Sequence, residues 1–136
     1  MKPIDIVNKM MENDAFSKWL GIKVVAVDKG VCDLEMTVTP EMVNGFNISH
    51  GGIVYSLSDS CLAFAANTYG DFAVSIETSI SHTSPAKIND RLFAKCREKK
   101  RGKSIGIYEV TVTNQEDKII SLFKGTVFIN QDKKWD

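Results

Sequence analysis

One carboxylate stands out from its surroundings. Asp59 is the only charged residue between Gly51 and Gly70, in an otherwise largely apolar stretch. An unpaired carboxylate in an apolar interior is energetically costly or has its pKa raised. Asp59 is therefore a candidate general base or nucleophile that partial desolvation keeps reactive. The alternatives are that it caps a loop, pairs with a cation or faces a wet subunit interface.

A second candidate group, Ser49-His50-Gly51-Gly52, begins the same stretch. The first amides of a helix have no partner within the helix, and the helix dipole favours negative charge there. Glycine lacks a Cβ and so lets another group approach the backbone closely. The segment predicts either an oxyanion hole or only a flexible helix start with Ser49 as the N-cap.

The spacing of these two groups constrains how they can cooperate. Gly51 and Asp59 are eight residues apart, which is about 12 Å along one helix. One scissile carbonyl cannot touch both from a single helix. If both act on one substrate, one of them must come from another subunit, so the spacing predicts a site at a two-fold interface.

Other side chains are weaker candidates. His50 could polarise a carbonyl or hold the loop, whereas we interpret His82 as structural. Asn44 forms an Asn-Gly pair with the next residue, which is a natural turn. Cys61 lies two residues from Asp59, faces away from it and is interpreted as a core residue. Neither of the two histidines lies near Cys or a carboxylate at ligand spacing, which argues against a metal site.

Four cations crowd the segment Lys99-Lys100-Arg101-Gly102-Lys103-Ser104, which is predicted to be a turn. A charged turn is usually only solvated. It could instead hold a polyanionic small molecule, such as the phosphates of a nucleotide-bearing carrier. The segment lacks the strand, Gly-rich loop and helix that surround a P-loop or a dinucleotide-binding fingerprint.

These residues must be positioned by regular elements. Apolar spacing predicts a helix over residues 4–20 and a buried, largely apolar helix over about 51–69. Strands are predicted at 22–27 and 31–38, joined by a hairpin, and at about 73–83, 92–98, 104–113 and 119–130. Short connections between the last four favour an antiparallel meander. A buried helix with a sheet curled around it is an α+β domain.

The composition excludes several classes of protein. The 136 residues suit a single domain. Lys plus Arg and Asp plus Glu are 17 each, and zero net charge argues against non-specific nucleic-acid binding. Neither a membrane helix nor a signal peptide is expected. Cys32, Cys61 and Cys96 are widely spaced, which argues against a disulfide framework or a structural zinc site and makes a cytoplasmic location the expectation.

Several of these segments together resemble a known family. Asn44-Gly45, His50-Gly51-Gly52, Ser56-Leu57-Ser58-Asp59 and Ser84-Pro85-Ala86 resemble the hotdog-fold acyl-CoA thioesterases, most nearly the PaaI type known from phenylacetate degradation. The resemblance covers roughly residues 20–130. It implies that the chain is one hotdog domain, with a long helix wrapped by an antiparallel sheet. It also implies a homodimer as the active unit, commonly paired into a homotetramer, and no cofactor.

The resemblance also implies a role for each matching residue. Asp59 would be a nucleophile or a base that activates water, and the Gly51 amide would bind the thioester oxygen. Asn44 and His50 would help to place the thioester or the water. Ser75, early in the strand after the helix, would orient the attacking water.

Two segments correspond to places where the family binds coenzyme A. Ser84-Pro85-Ala86 and Arg101-Gly102-Lys103-Ser104 would contact its pantetheine and phosphates. The resulting hypothesis is hydrolysis of an acyl-CoA, with an aryl-acetyl or medium-chain acyl group in a pocket between the helices of two subunits.

Two alternatives stay open: a non-catalytic acyl-CoA or acyl-carrier binding module, and a hotdog dehydratase or hydratase. The presence of Asp59 argues against the first. The lack of a second suitably placed acid–base pair argues against the second.

Overall fold

The computed structural model describes all 136 residues and contains one six-stranded sheet and three α-helices. In chain order the elements are α1 (Pro3–Glu12), α2 (Ala15–Trp19), β1 (Lys23–Asp28), β2 (Val31–Thr37), a 3-10 turn (Pro40–Met42), α3 (Gly51–Asn67), β3 (Asp71–His82), β4 (Arg91–Arg101), β5 (Ile105–Thr113) and β6 (Ile119–Lys134). None of the helices combines the length and apolarity that a bilayer crossing needs.

The sheet curves around α3. Its strand order is β1-β2-β4-β5-β6-β3, and every neighbouring pair is antiparallel. The helix packs against β2, β3, β4, β5 and β6, and its buried positions include Leu57, Cys61 and Phe64. At Gly125 of β6 a Cβ would overlap the side chain of Leu62, so glycine lets the helix approach the sheet. The prediction of a sheet wrapped around a buried helix is confirmed.

The N-terminal helix is broken in two, which the predicted single helix over residues 4–20 missed. Asp14 is the N-cap of α2 and accepts hydrogen bonds from Ser17 N at 2.9 Å and Ser17 Oγ at 2.7 Å. Asp is among the best N-cap residues. The apolar spacing continues across the break, so periodicity alone did not reveal it.

The predicted meander of the last four strands is wrong for β3. The connection after β3 crosses over, and β4 pairs with β2 while β3 pairs with β6. Asp90 O accepts a hydrogen bond from Val38 N at 2.9 Å and so ties the end of this crossover to β2. As a result β3 is an edge strand of the sheet.

The turn predicted at residues 99–104 is shorter than expected, because its first cations belong to β4. β4 continues through Lys99 and Lys100 to Arg101, with a bulge between Glu98 and Lys100. Their charged side chains can stay in solvent while the backbone pairs with β5.

The three cysteines, distant in sequence, meet in the core as free, buried thiols. Cys32 lies opposite Cys96 in the β2–β4 register, and Cys61 Sγ donates to Cys32 O at 3.2 Å. Burial raises the pKa of the Cys61 thiol and keeps it protonated and inert. The interpretation of Cys61 as a core residue is confirmed.

Candidate active site

The start of α3 is held by His50 rather than by Ser49. His50 is the N-cap, and its Nδ1 accepts a hydrogen bond from Gly52 N at 2.9 Å. Its own backbone N–H donates to Met42 O at 2.8 Å. Because Nδ1 is an acceptor, the proton of the neutral ring lies on Nε2. His50 therefore fixes the first turn of the helix.

This capping leaves one amide free. The Gly52 amide donates to the His50 ring and the Ile53 amide to His50 O, whereas Gly51 N–H has no hydrogen-bond partner within the chain. It lies at the positive end of the helix dipole. The first amide of α3 is thus available to a negatively polarised oxygen.

An open groove runs beside this amide. It has a volume of about 410 Å³ and is lined by Asn44, Ile48, Ser49, Gly51, Val54, His82, Thr83, Ser84, Pro85 and Ala86. The structure therefore brings five predicted site residues together: Asn44, Gly51 and the segment Ser84-Pro85-Ala86. Ser49 N donates to Ala86 O at 2.7 Å and so joins that segment to the start of α3.

Asn44 has the turn role that an Asn-Gly pair predicts. Its Oδ1 accepts hydrogen bonds from Phe46 N at 2.9 Å and Ile48 N at 3.4 Å. Its Nδ2 makes no hydrogen bond within the chain and remains available at the groove.

His82, interpreted from the sequence as structural, also lines this groove. A Cβ on Gly51 would lie 3.3 Å from His82 Nε2 and 3.4 Å from Cε1, so the imidazole is in contact with the start of α3. Neither ring nitrogen has a hydrogen-bond partner in the chain. The available signal was position: His82 ends β3, two residues before the Ser84-Pro85-Ala86 segment.

Asp59 lies elsewhere on α3, half-buried and without a hydrogen bond or ion pair in the chain. The structure therefore excludes the alternatives in which it caps a loop or pairs with a cation of its own chain. Burial raises its pKa, and the nearby carboxylate of Asp14 raises it further. Asp14 is close because Ser17, which it caps, shares a hydrogen bond of 2.8 Å with Ser60 Oγ.

Three predicted catalytic residues, His50, Asp59 and Ser75, do not line this groove in their own chain. Asp59 is eight residues beyond Gly51 on the same helix. Ser75 is exposed on the edge strand β3, opposite Val127 of β6. The spacing of Gly51 and Asp59 along α3 keeps Asp59 from reaching a carbonyl bound at the Gly51 amide of its own chain.

A second groove lies on the other side of the start of α3. It has a volume of about 430 Å³, and its lining includes Met42, His50 and Ile53 as well as two aromatic residues of α2. These are Phe16 and Trp19, which stack with ring centroids 6.0 Å apart and are 52% and 51% exposed. The sequence had placed both on a helix without a role.

Arg101 points to the opposite end of α3. Its Nη1 donates to Ala66 O at 3.1 Å and to Tyr108 Oη at 2.8 Å, and its guanidinium lies 4.0 Å from the Tyr69 ring centroid. Gly102, Lys103 and Ser104 form the exposed turn that follows. Arg101 is therefore bound within the fold, whereas the side chains of the turn are open to solvent.

The structure contains no group of three or more His, Cys, Asp or Glu side chains arranged to hold a metal ion. The groove at Gly51 is lined by one titratable side chain, His82, whereas the second groove is lined by the Glu41 carboxylate as well as by His50 and the two aromatic rings.

Comparison with known proteins identifies the family. The sequence model of the thioesterase superfamily matches residues 46–121, which is more than half of the chain. The chain is 39% identical over 116 residues to the acyl-coenzyme A thioesterase PaaI of Escherichia coli, covering 85% of this chain and 83% of that protein.

Solved structures agree. The Escherichia coli PaaI protein from the phenylacetic acid degradation operon superposes with a TM-score of 0.93 at 35% identity, covering 94% of this chain and 93% of that one. A Streptococcus mutans protein bound to acetyl CoA has a TM-score of 0.80 at 26% identity, covering 83% and 91%. With its fold, its motifs and its relatives in agreement, the chain belongs to the thioesterase superfamily as a hotdog-fold acyl-CoA thioesterase of the PaaI type.

Proposed function

We propose that the protein hydrolyses acyl-CoA thioesters to a free acid and coenzyme A at sites that two subunits share. The observation that carries this proposal is the state of two groups on α3. The Gly51 amide is free, and the Asp59 carboxylate is half-buried and unpartnered. Both are prepared for chemistry, yet their separation along one helix prevents them from acting on one carbonyl.

The Gly51 amide would bind the thioester oxygen. Negative charge grows on that oxygen as the carbonyl is attacked, and a fixed donor stabilises the transition state more than the ground state. Asn44 Nδ2 lies at the same groove and would help to place the thioester. His50 would act indirectly, because it holds the first turn of α3 in position.

Asp59 would act as the base that removes a proton from the attacking water, or as the nucleophile itself. Its raised pKa makes the ionised carboxylate a stronger base than an exposed Asp. Ser75 would orient the water. Turnover in ¹⁸O-labelled water tests direct attack, because label in the Asp59 carboxylate requires an acyl-Asp59 anhydride that is hydrolysed at the Asp59 carbonyl, whereas the base mechanism puts label only in the released acid.

The second subunit would join through β3. This edge strand exposes Val74 and Ile76, which are 61% and 58% exposed, beside an unpaired row of backbone groups. Such an edge is a surface for strand pairing. Two-fold pairing of β3 would set the two α3 helices antiparallel on one face of a continuous sheet. Asp59 of one subunit would then approach Gly51 of the other, and we propose that these dimers pair into a tetramer.

Coenzyme A would lie across this interface. Ser84-Pro85-Ala86 line the groove at Gly51 and suit the pantetheine arm. The turn with Lys103 and Ser104 lies near the far end of α3, because Arg101 before it contacts Ala66 O. Antiparallel helices bring that end of one subunit beside the groove of the other, so the phosphates would meet the turn of the partner. The acetyl CoA bound to the Streptococcus mutans relative supports this class of ligand.

The acyl group would occupy the second groove. Its aromatic wall of Phe16 and Trp19 suits an aryl group, because aromatic rings pack favourably against one another. We therefore propose aryl-acetyl thioesters, such as those of phenylacetate degradation, ahead of medium-chain acyl-CoAs.

We also propose a reducing, cytoplasmic location. Three free thiols in the core support it, because free cysteines are typical of reducing compartments. Cell fractionation tests this proposal, and recovery of the protein outside the cytoplasm would contradict it.

The first experiment measures thiol release from a panel of aryl- and alkyl-acyl-CoAs by the wild type and by Asp59→Ala. We expect loss of about 10³-fold or more in kcat, as for removal of an essential base or nucleophile. Asp132→Ala is the matched control, because Asp132 is an exposed carboxylate outside both grooves. Near wild-type turnover by Asp59→Ala contradicts the mechanism, and tight binding by the wild type without thiol release favours a binding module.

A mixing experiment tests the shared site. Gly51→Val and Asp59→Ala are each expected to be inactive, but a heterodimer retains one site with both wild-type groups. Random re-association should restore about one quarter of wild-type activity, since half of the dimers carry one intact site of two. Absence of any restoration in a mixture shown to contain heterodimers would place Asp59 and Gly51 of each site in one subunit. An active monomer on sizing would contradict the proposal equally.

A further inference from the structure

The groove at Gly51 contains one ionisable side chain, and that side chain touches Gly51. Of the ten residues lining the groove, His82 alone is titratable. Its ring lies against the start of α3, with Nε2 at 3.3 Å from the position of a Cβ on Gly51. Neither ring nitrogen is used by the fold. An exposed, unpartnered imidazole beside a free amide is a ready hydrogen-bond donor.

Covalent geometry limits how far apart the two donors can be. A backbone nitrogen and the Cβ of the same residue are about 2.5 Å apart. His82 Nε2 is therefore no more than about 5.8 Å from Gly51 N, given the 3.3 Å contact. A single oxygen about 2.9 Å from each nitrogen fits within that span. Both groups can thus reach the same acceptor.

We propose that His82 Nε2–H and Gly51 N–H donate together to the thioester carbonyl oxygen, which makes His82 a catalytic residue. This inference rests on the proposed hydrolysis. Water adds to the carbonyl carbon while a proton passes to the base, and the carbonyl π pair moves to the oxygen. When that pair returns, the C–S bond breaks and the departing sulfur takes the proton. His82 gives up no proton, because it stabilises the oxyanion by hydrogen bonding alone.

The structure separates this role from that of the other histidine. His50 Nδ1 is bound to the Gly52 amide, and its ring lines the aromatic groove rather than the groove at Gly51. His50 is therefore a positioning residue for the helix start. Gly51 also fits the inference, because any larger residue would press a Cβ against the His82 ring and crowd the space of the oxygen.

The test compares three substitutions of His82 in the full-length enzyme. His82→Gln keeps a side-chain N–H donor, His82→Glu has nearly the same size with an acceptor in its place, and His82→Phe keeps a ring without a donor. We expect kcat to fall about 10- to 100-fold in the Phe and Glu variants with KM within about twofold, since the bond forms mainly in the transition state. The Gln variant should retain clearly more kcat than the Glu variant. Ser81→Ala, adjacent on β3 but outside the groove, should match the wild type.

Each outcome decides the matter. Equal kcat in the Gln and Glu variants, wild-type kcat in the Phe variant, or a rise in KM alone would overturn the role of His82. His82 lies at the surface, so the Gln and Glu variants are expected to fold even if the Phe variant does not, and their comparison then decides. A wild type that releases no thiol from any acyl-CoA would instead overturn the proposed function.

Discussion

The two ends of α3 differ in how many of their polar groups form hydrogen bonds within the chain. At the C-terminal end, Thr68 Oγ1 donates to Ala65 O at 2.7 Å and accepts from Gly30 N at 2.8 Å, and Arg101 binds Ala66 O. At the N-terminal end, the Gly51 amide has no partner in the chain and faces an open groove. One end is closed by the fold, and the other is left open.

The side chains at the C-terminal end extend this network. Asn67 Nδ2 donates to Ala63 O and Ala73 O, at 2.7 and 2.9 Å, while its Oδ1 accepts from Ala73 N and Trp135 Nε1. Tyr108, which accepts from Arg101, donates to Glu98 at 2.8 Å. This end anchors α3 to β3, β4, β5 and the C-terminal segment.

The difference assigns stability to one end and chemistry to the other. A hydrogen-bond donor can act on a substrate only if no group of the fold already accepts its hydrogen bond. Such a donor must then be held in position by rigid surroundings. The same logic applies to Asp59, whose carboxylate has no partner and a raised pKa. The predictions below test this division, beginning with the largest effect.

The largest effect is expected at Asp59. Asp59→Asn should reduce kcat by about 10³-fold or more, yet raise the stability of the folded protein at neutral pH. Folding raises the pKa of Asp59, so the folded chain binds the proton more tightly than the unfolded chain. The contribution of Asp59 is thus favourable at low pH, is lost as pH rises through the folded-state pKa, and leaves a net cost when it is ionised.

Thermal melts at several pH values check this prediction. The variant should melt about 1–3 °C above the wild type at pH 7, and the gap should close towards pH 4. A variant less stable than the wild type at pH 7 would mean that Asp59 has a stabilising partner, and the contrast with the anchored end would fail.

The reverse pattern is expected at Asn67. Asn67→Ala removes all its side-chain hydrogen bonds and leaves the Ala73 backbone groups without their side-chain partner, which should lower the free energy of unfolding by about 2–4 kcal/mol. Because Asn67 is buried and lines neither groove, kcat per folded enzyme should stay within about twofold. Urea unfolding measures the first quantity, and thiol release at a temperature where the variant is folded measures the second. A large loss of kcat without loss of stability would break the division between the two ends.

How much of this contrast the sequence could predict depends on the range of the interactions. The apolar spacing of α3, the glycines at its start and the lone Asp59 are local features, so both the helix and the separation of its two candidate groups were predictable. The crossover that pairs β3 with β6 was not, because it depends on strand register over distant residues. The contact of His82 with Gly51 follows from that crossover, and it was missed for the same reason.

Capping also escaped local reasoning. Serine is a common N-cap residue, yet the backbone N–H of Ser49 donates to Ala86 O and the His50 ring caps the helix instead. Likewise, the run of cations suggested one turn, but pairing with β5 extends β4 through Arg101. In both cases a partner distant in sequence overrides the local preference.

A smaller effect is expected on selectivity at the open end. Trp19→Ala removes half of the aromatic wall of the second groove. We expect kcat/KM for phenylacetyl-CoA to fall about fivefold relative to that for a medium-chain acyl-CoA, because loss of an aromatic contact costs about 1 kcal/mol more for an aryl group. Trp19→Phe, which keeps a ring, should preserve the preference. An equal loss for both substrates would remove this groove as the determinant of acyl selectivity.

The smallest effect is expected from the charge of Asp14 on the pKa of Asp59. Asp14 raises the pKa of Asp59 by repulsion between like charges. Asp14→Asn removes that charge but keeps the α2 N-cap, because Asn caps about as well as Asp. The pKa of Asp59 should fall, and the acid limb of the kcat/KM profile should move to lower pH by a few tenths of a pH unit. Asp132→Asn, which removes an exposed carboxylate that does not act on Asp59, should leave the limb in place. An acid limb that moves upward in Asp14→Asn, or stays fixed, would mean that a group other than Asp59 sets it, and the open end of α3 would then need a different base.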